Sequence, residues 1–237
     1  MNPEKRASVG AMFDSIAPGY DFLNHFLSFG IDRRWRRTAV SIIAKHHRNP
    51  EILDVATGTG DLAISAMKID PAKVTGIDIS EKMLEVGREK IRKKGFSDKI
   101  ELTEGDSENI PFPDESFDVV MAGFGIRNFS DPSKGLREMK RVLRPGGLVL
   151  ILEFSVPESF PFRLVYGFYF RRILPLAGRI ISKDRMAYSY LPDSVLEFPY
   201  GEEFLEMMES AGFLRTGQRK LTGGIATVYT GFKAQTQ

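Results

Sequence analysis

The chain has no cysteine, one tryptophan and three histidines. The first absence excludes disulfides, thiolate metal sites and a thiol nucleophile together, and leaves the compartment open. His25, His46 and His47 do not form a metal-ligand set, because two are adjacent in a charged stretch and the third is far upstream, so no metal is expected. Long apolar runs are missing as well. None approaches the ~20 residues of a membrane-spanning helix. The opening MNPEKRASVGAMFDS carries charge without the apolar stretch of a secretory signal, and the expected location is the cytoplasm. Charge of one sign is not in excess either. With 33 basic and 31 acidic side chains the formal net charge is +2, which does not suggest a nucleic-acid partner. There is no internal repeat and no low-complexity tract.

What is present is the composition of a globular protein, 42% hydrophobic and 27% charged over 237 residues, room enough for one α/β unit with an insertion. The apolar runs are short. ILDVA (52–56), KVTGID (73–78), KIELTEG (99–105), FDVVMAG (117–123) and LVLILEF (148–154) read as buried strands. DLAISAMKI and SEKMLEVGREKIRKKG between them have helical spacing, with Ser80 as N-cap and Gly95 as stop. Strands alternating with helices predict a mostly parallel sheet with right-handed crossovers. The order changes after EEFLEMMESAGF, a helix, where FLRTGQRKL and ATVYTGFKA are separated only by a short glycine turn and predict an antiparallel pair.

The stretch DVATGTGDLA, residues 54–63, reads as strand end, glycine turn and helix start. Gly58-Thr59-Gly60-Asp61-Leu62-Ala63 satisfies GxGxxA, the dinucleotide fingerprint, but any tight strand–helix turn selects glycine. Asp78, which ends the second strand beside Ile79, suits a ribose diol in either reading, a contact of roughly 1.5–3 kcal/mol. Asp54 separates the two. It lies where a pyrophosphate would sit, and two anions there repel, whereas a cationic or zwitterionic group is welcome. S-adenosylmethionine is such a ligand, with an adenosine, a sulfonium and no phosphate. Asp106, after the third strand, can accept from an adenine amino group while the Ser107 N–H meets a ring nitrogen. Alone, Asp106 is equally a turn or capping residue. Three acids after three successive strands favour the methyl donor.

DVATGTGD, GIDIS, GDSENIPFPDESFD and LREMKRVLRPGGLVLILEF resemble, in order, the motifs of the class I S-adenosylmethionine-dependent methyltransferases, with Ala56 standing where the general DxGxGxG has glycine. MFDSIAPGYDFLNHFLSFGIDRRWRR and FGIRNFSDPSKGLREMKRVLRPGG are similar to the ubiquinone/menaquinone biosynthesis C-methyltransferases, over nearly the whole chain. The resemblance implies a Rossmann-like α/β fold with a mostly parallel seven-stranded sheet, an antiparallel C-terminal strand, N-terminal helices and a helical insertion. It divides one unit, 1–237, into a helical cap (1–48), a cofactor core (49–154), a substrate- and membrane-facing insertion (155–200), and a terminal helix and strand pair (201–237). It implies cofactor contacts by Thr59, Asp78, Asp106, Ser107 and Gly123. Asp54, Gly58, Gly60 and Ile79 complete that set. The family often has serine at Gly123, so here that contact is expected through backbone alone.

The implied reaction is C-methylation of a polyprenylated quinol, demethylmenaquinol to menaquinol. Activity on the benzoquinol of ubiquinone synthesis, another small-molecule methylation, a non-catalytic accessory role and a nicotinamide-dependent oxidoreductase are the alternatives. Arg127 and Asn128, just past the fourth strand, are expected to face the transferring methyl and orient the quinol oxygens. The competing role for Arg127 is a structural salt bridge. Tyr20, Asp21, Asn24 and His25 fall within two helical turns and suit a closing cap, a proton acceptor or plain packing. The run Asp32–Arg37 reads as a solvated face. In residues 160–185, aromatics interleave with Arg163, Arg171, Arg172, Arg179, Lys183 and Arg185, the pattern of an interfacial element touching a membrane surface, or of a cover or homodimer face.

Overall fold

The computed structural model describes residues 3–21, 28, 30–158, 160, 162–168 and 194–235, without the side chains of 3–8, 18, 165 and 168. Its order is α1 (Pro3–Ile16), α2 (Asp32–His46), β1 (Glu51–Val55), α3 (Asp61–Ala66), β2 (Lys73–Asp78), α4 (Glu81–Lys93), β3 (Ile100–Glu104), β4 (Phe117–Gly123), α5 (Pro132–Val142), β5 (Leu143–Phe154), α6 (Phe162–Phe168), α7 (Glu202–Ser210), β6 (Leu214–Leu221) and β7 (Ala226–Phe232). Seven strands form one sheet, β3-β2-β1-β4-β5-β7-β6, parallel from β3 to β5. β7 runs antiparallel between β5 and β6, as the close spacing of the last two strands predicts.

Four of the short apolar runs become strands buried on both faces, whereas β3, at the sheet edge, exposes Glu101 and Glu104. Ile52, Val74, Val119 and Leu150 pack toward α2, α3 and α4, while Leu53, Ile77, Val120 and Ile151 pack toward α5 and α7. Ser80 caps α4, its hydroxyl accepting from the Met83 N–H at 3.3 Å, and Gly95 follows the helix at φ 72°, so both punctuation residues act as expected. β5 starts earlier than the apolar run suggests. Phe117 pairs with Leu143 and Val119 with Leu148, so Arg144–Gly147 bulge out of register. A side chain at Gly147 would come within 2.8 Å of the Arg144 carbonyl, which only glycine avoids. α5 buries Leu136, Met139 and Val142 at three-residue spacing, Asp131 accepts from the Lys134 N–H at 2.9 Å, and Pro132 fills the first turn.

The Asp32–Arg37 run is not simply a solvated face. Arg33, Arg34 and Arg37 are exposed, whereas Asp32, Trp35 and Arg36 are buried, because α2 lays one stripe on the sheet. The Trp35 indole sits against Phe124 and Phe154, and its N–H donates to the Thr222 hydroxyl at 2.8 Å, joining the N-terminal part of the chain to the C-terminal hairpin.

Ala56, in the glycine's usual place, keeps the glycine's backbone: φ is 54°. Its Cβ then occupies space needed elsewhere, since a Cβ on Gly125 would lie 2.7 Å from it. The two positions are sterically coupled. Ala56→Gly should relieve a left-handed strain of roughly 1–2 kcal/mol at a backbone-entropy cost of about 0.5–1 kcal/mol, a net gain of up to about 1.5 kcal/mol. Gly125→Ala alone should lose about 1–3 kcal/mol, and clearly less when Ala56 is glycine. Urea unfolding of the four proteins measures this, and equal losses in both backgrounds would refute the coupling.

Candidate active site

The strand order reverses between β1 and β4, so the carboxyl ends of β3, β2, β1, β4 and β5 form one row with a crevice at the switch point. The row collects, in order, Asp106, Asp78 with Ile79, the glycine turn after Asp54, Gly123 with Arg127, and Glu153. Residues separated by a hundred positions thus share one edge.

Asp54 is buried. One oxygen accepts from the Thr57 hydroxyl at 2.7 Å and the Ala63 N–H at 3.1 Å, while the other, also buried, has no partner among the described residues. Burial outweighs the hydrogen bonds and pushes the carboxyl up to about 7. Gly58 and Gly60 both adopt positive φ, 55° and 75°, which bends the chain sharply into α3. The space beside Gly58 is open, and its N–H donates to Asp78 at 2.8 Å. Asp78 receives the Ser80 N–H on its other oxygen at 2.9 Å, and burial raises it too. Both carboxylates therefore lie in a crevice that disfavours their charge until a cation or donor arrives.

The Thr59 side chain ties the glycine turn to the N-terminal segment. Its hydroxyl donates to Asp21 at 2.5 Å and accepts from Lys90 at 3.0 Å, so its polar atom serves the cap. Lys90 also pairs with Asp21 at 2.6 Å and Asp61 at 2.7 Å, and Arg36 joins Asp61 at 3.2 Å and Asp32. A second tie runs from the Ser80 hydroxyl to Asp14 of α1 at 2.6 Å. Gly10 brings α1 against Ile79. The cap thus lies on the crevice wall formed by Asp78, Ile79 and Thr59. Tyr20 and Asp21 belong to this cap, whereas Asn24 and His25 lie outside the described residues. No sequence signal marks Lys90 or Asp14, whose ties across the cap, to Asp21 and Ser80, span more than sixty positions.

Asp106 does serve as a turn residue: one oxygen accepts from the Glu108 N–H at 2.9 Å, and its carbonyl accepts from the Asn109 N–H at 3.1 Å. Ser107 is buried beside it. At Gly123 a Cβ would meet Leu62 at 3.1 Å, tight but close to tolerable for serine. Arg127 and Asn128 occupy a single 3-10 turn after β4. Arg127 is 8% exposed and does form a salt bridge, to Glu153 at 2.9 Å. The same nitrogen donates to the Phe124 carbonyl, the guanidinium lies 5.3 Å from the Phe154 ring centre, and Nε is buried with no partner among the described residues. Glu153 was missed; its only sequence signal is a lone acid closing an apolar strand. A cavity of about 220 Å³ lies beyond β5, lined by Ser155, Tyr200, Gln218, Lys220 and Thr227.

The model of the ubiE/COQ5 methyltransferase family matches residues 1–233. The chain belongs to this family. A ubiquinone/menaquinone biosynthesis C-methyltransferase, UbiE, of Geotalea daltonii is 52% identical over 97% of this chain and 98% of its own length. A demethylmenaquinone methyltransferase of Bacteroides fragilis is 47% identical over 97% and 94%. Among solved structures, a SAM-dependent methyltransferase from Aquifex aeolicus aligns with TM-score 0.60 and 23% identity over 83% of this chain and 88% of that one. The [4+2]-cyclase SpnF aligns with 0.69 and 20% over 96% of each. These likenesses carry the fold. This ubiE/COQ5 family member is a methyltransferase, and S-adenosylmethionine is its methyl donor. The crevice fits that donor: a buried, unpartnered carboxylate oxygen on Asp54 suits a positive group, and a pyrophosphate would face two carboxylates. Among the described residues no acidic or histidine cluster suits a metal ion.

Because Asp54 and Asp78 are raised in the free protein and a cation favours their charged forms, donor affinity should rise with pH and level off above about 8. Below about pH 6 it should weaken by up to about tenfold per unit for each coupled proton. The same shift in Asp54 favours the folded state below about pH 4 and is lost as pH rises through about 7. Calorimetry in buffers of different ionisation enthalpy reads the released proton. Asp54→Asn should weaken binding and flatten the slope to the part due to Asp78; an unchanged slope would refute the assignment.

Proposed function

We propose that this chain transfers a methyl group to a ring carbon of a polyprenylated quinol, converting demethylmenaquinol to menaquinol. The reading is supported by relatives of that name at about half identity over almost their full length. The structural observation that carries it is the buried Arg127 at the carboxyl end of β4, whose Nε–H has no acceptor among the described residues. In this reading residues 1–48 act as the cap over the donor, 49–154 as the core, 155–200 as the acceptor-facing insertion, and 201–237 as the closing helix and strand pair. Asp54 holds the cationic part of the donor, Asp78 the ribose, and Ile79, Asp106 and Ser107 the adenine, with Gly58, Thr59, Gly60 and Gly123 shaping the crevice through their backbone.

S-adenosylmethionine supplies an electrophilic methyl on sulfur when bound. The protein has to hold the quinol carbon in line with it, which can be worth roughly 7–11 kcal/mol of the barrier. An arginine side chain does not serve as a general base, so Arg127 acts otherwise. Its contribution is a donated hydrogen bond to the quinol oxygen next to the reacting carbon, which stabilises negative charge there and enriches the ring. Asn128 orients the second oxygen. An oxidised quinone is electron-poor and should not react.

Arg127→Lys keeps the charge but removes the planar fork. It should lower kcat with reduced demethylmenaquinol by about 10²–10³-fold, with donor Kd unchanged, and the oxidised quinone should give no product with either protein. Full activity of the Lys variant would dispose of the role. Reduced benzoquinol assayed beside the naphthoquinol separates a single from a dual substrate range, which the relatives' names leave open.

The acceptor's tail places it in a bilayer. No described helix is long and apolar enough to cross a membrane. Instead Phe160 (80% exposed), Phe162 (38%) and Leu164 (62%) present apolar surface on and before α6 with Arg163 beside them, which supports peripheral contact. The remaining cations of that pattern, Arg171, Arg172, Arg179, Lys183 and Arg185, lie outside the described residues. Phe160→Asp/Leu164→Asp should abolish sedimentation with anionic vesicles. Equal binding by both proteins would count against the membrane contact, and loss of a dimer in light scattering would assign the patch to a second copy.

A further inference from the structure

Glu153 closes the row Val149, Ile151, Glu153 on one face of β5 and is fully buried. Packing alone asks for another aliphatic there. A buried ion pair is expensive to desolvate, and hydrophobic residues of similar volume commonly serve stability as well or better. The hydrogen bonds of this carboxylate go to the edge already described. One oxygen accepts from Arg127 Nη1 at 2.9 Å and from the Phe154 N–H at 2.9 Å, and the other faces the Arg127 backbone N–H at 3.4 Å.

Arg127 Nη1 is therefore clamped between Glu153 of β5 and the Phe124 carbonyl after β4. A guanidinium is rigid and planar, so fixing one end at two acceptors fixes the plane and the direction of Nε–H. That N–H is buried and has no acceptor among the described residues. The titratable groups around the pair are three phenols. Tyr166 of α6 feels the Arg127 charge, Tyr229 of β7 feels Glu153, and Tyr200 faces both tyrosines; burial raises Tyr166 and Tyr229.

We infer that Glu153 is a positioning residue for methyl transfer: its carboxylate holds the Arg127 guanidinium so that Nε–H is presented to the quinol oxygen, and it neutralises that cation so that the acceptor meets a directed donor instead of a bare charge. This rests on the quinol reading of Arg127. Two substitutions separate reach from charge. Glu153→Asp keeps the charge and withdraws it by one methylene; kcat should fall at least about tenfold, with donor Kd unchanged and the pH midpoint of kcat unmoved. Glu153→Gln is isosteric and keeps an acceptor but leaves Arg127 with an uncompensated positive charge. Ionisation of the bound quinol becomes easier, so the midpoint of the rise of kcat with pH should move down by about one unit, while kcat above it stays within about threefold.

A merely structural Glu153 would lower the melting temperature of both variants and leave the pH midpoint in place. An unchanged kcat in Glu153→Asp, or an unmoved midpoint in Glu153→Gln, overturns the inference. Arg127→Lys run in parallel keeps the two claims apart. If it is impaired while both Glu153 variants behave as wild type, only the positioning role falls. If it is fully active, the quinol reading falls and takes this inference with it.

Discussion

A carboxylate buried at the end of β1 sets the terms for the rest of the molecule. Asp54 is held on one side by Thr57 and by the first turn of α3, and its other oxygen has no partner among the described residues. In a low-dielectric crevice such a group is unfavourable as an anion, and only a positive partner makes it comfortable. Asp78 repeats the condition one strand away, with both oxygens occupied by backbone N–H groups that fix its position and leave burial dominant. The glycine turn gives these acids a common floor, and the chemistry of the site follows from that charge pattern more than from the turn's resemblance to any fingerprint.

The cap is organised by a second set of charges. Asp21, Lys90, Asp61, Arg36 and Asp32 form a partly buried chain of alternating sign that runs from the N-terminal segment through α4 and α3 to α2. The Thr59 hydroxyl of the glycine turn bonds to both Asp21 and Lys90 of this chain, so cap and turn share one hydroxyl. Such networks in a partly desolvated setting hold geometry better than they add stability. Their value here is alignment: α1 is laid over Ile79 and α2 over β4 and β5.

Much of this was legible in the chain itself. The five parallel strands, the antiparallel pair, the Ser80 cap and the Gly95 stop all follow from periodicity and turn chemistry, which act over a few residues. The order of the acids along the edge follows from topology rules. What escaped is what depends on distant partners. Arg36 reads as solvated from its neighbours, yet Asp61 draws it inward. The tie of the Thr59 hydroxyl to Asp21 and Lys90 is likewise invisible from its neighbours. The early start of β5 escaped because Arg144–Gly147 looks like a turn, and it is one, folded into the strand as a bulge. Glu153 was visible as an acid where the apolar pattern calls for an aliphatic, a local inconsistency of the kind that functional sites produce.

Trp35 adds one more consequence. Its indole bonds to Thr222 and stacks among Phe124 and Phe154, so a residue from the first fifth of the chain completes its contacts only with the hairpin near the other end. During synthesis from the N-terminus, α2 emerges early and can meet β5 before the hairpin is made, but the Trp35 hydrogen bond has to wait for Thr222. The last polar contact of this aromatic cluster therefore forms only when the turn between the final two strands has left the ribosome.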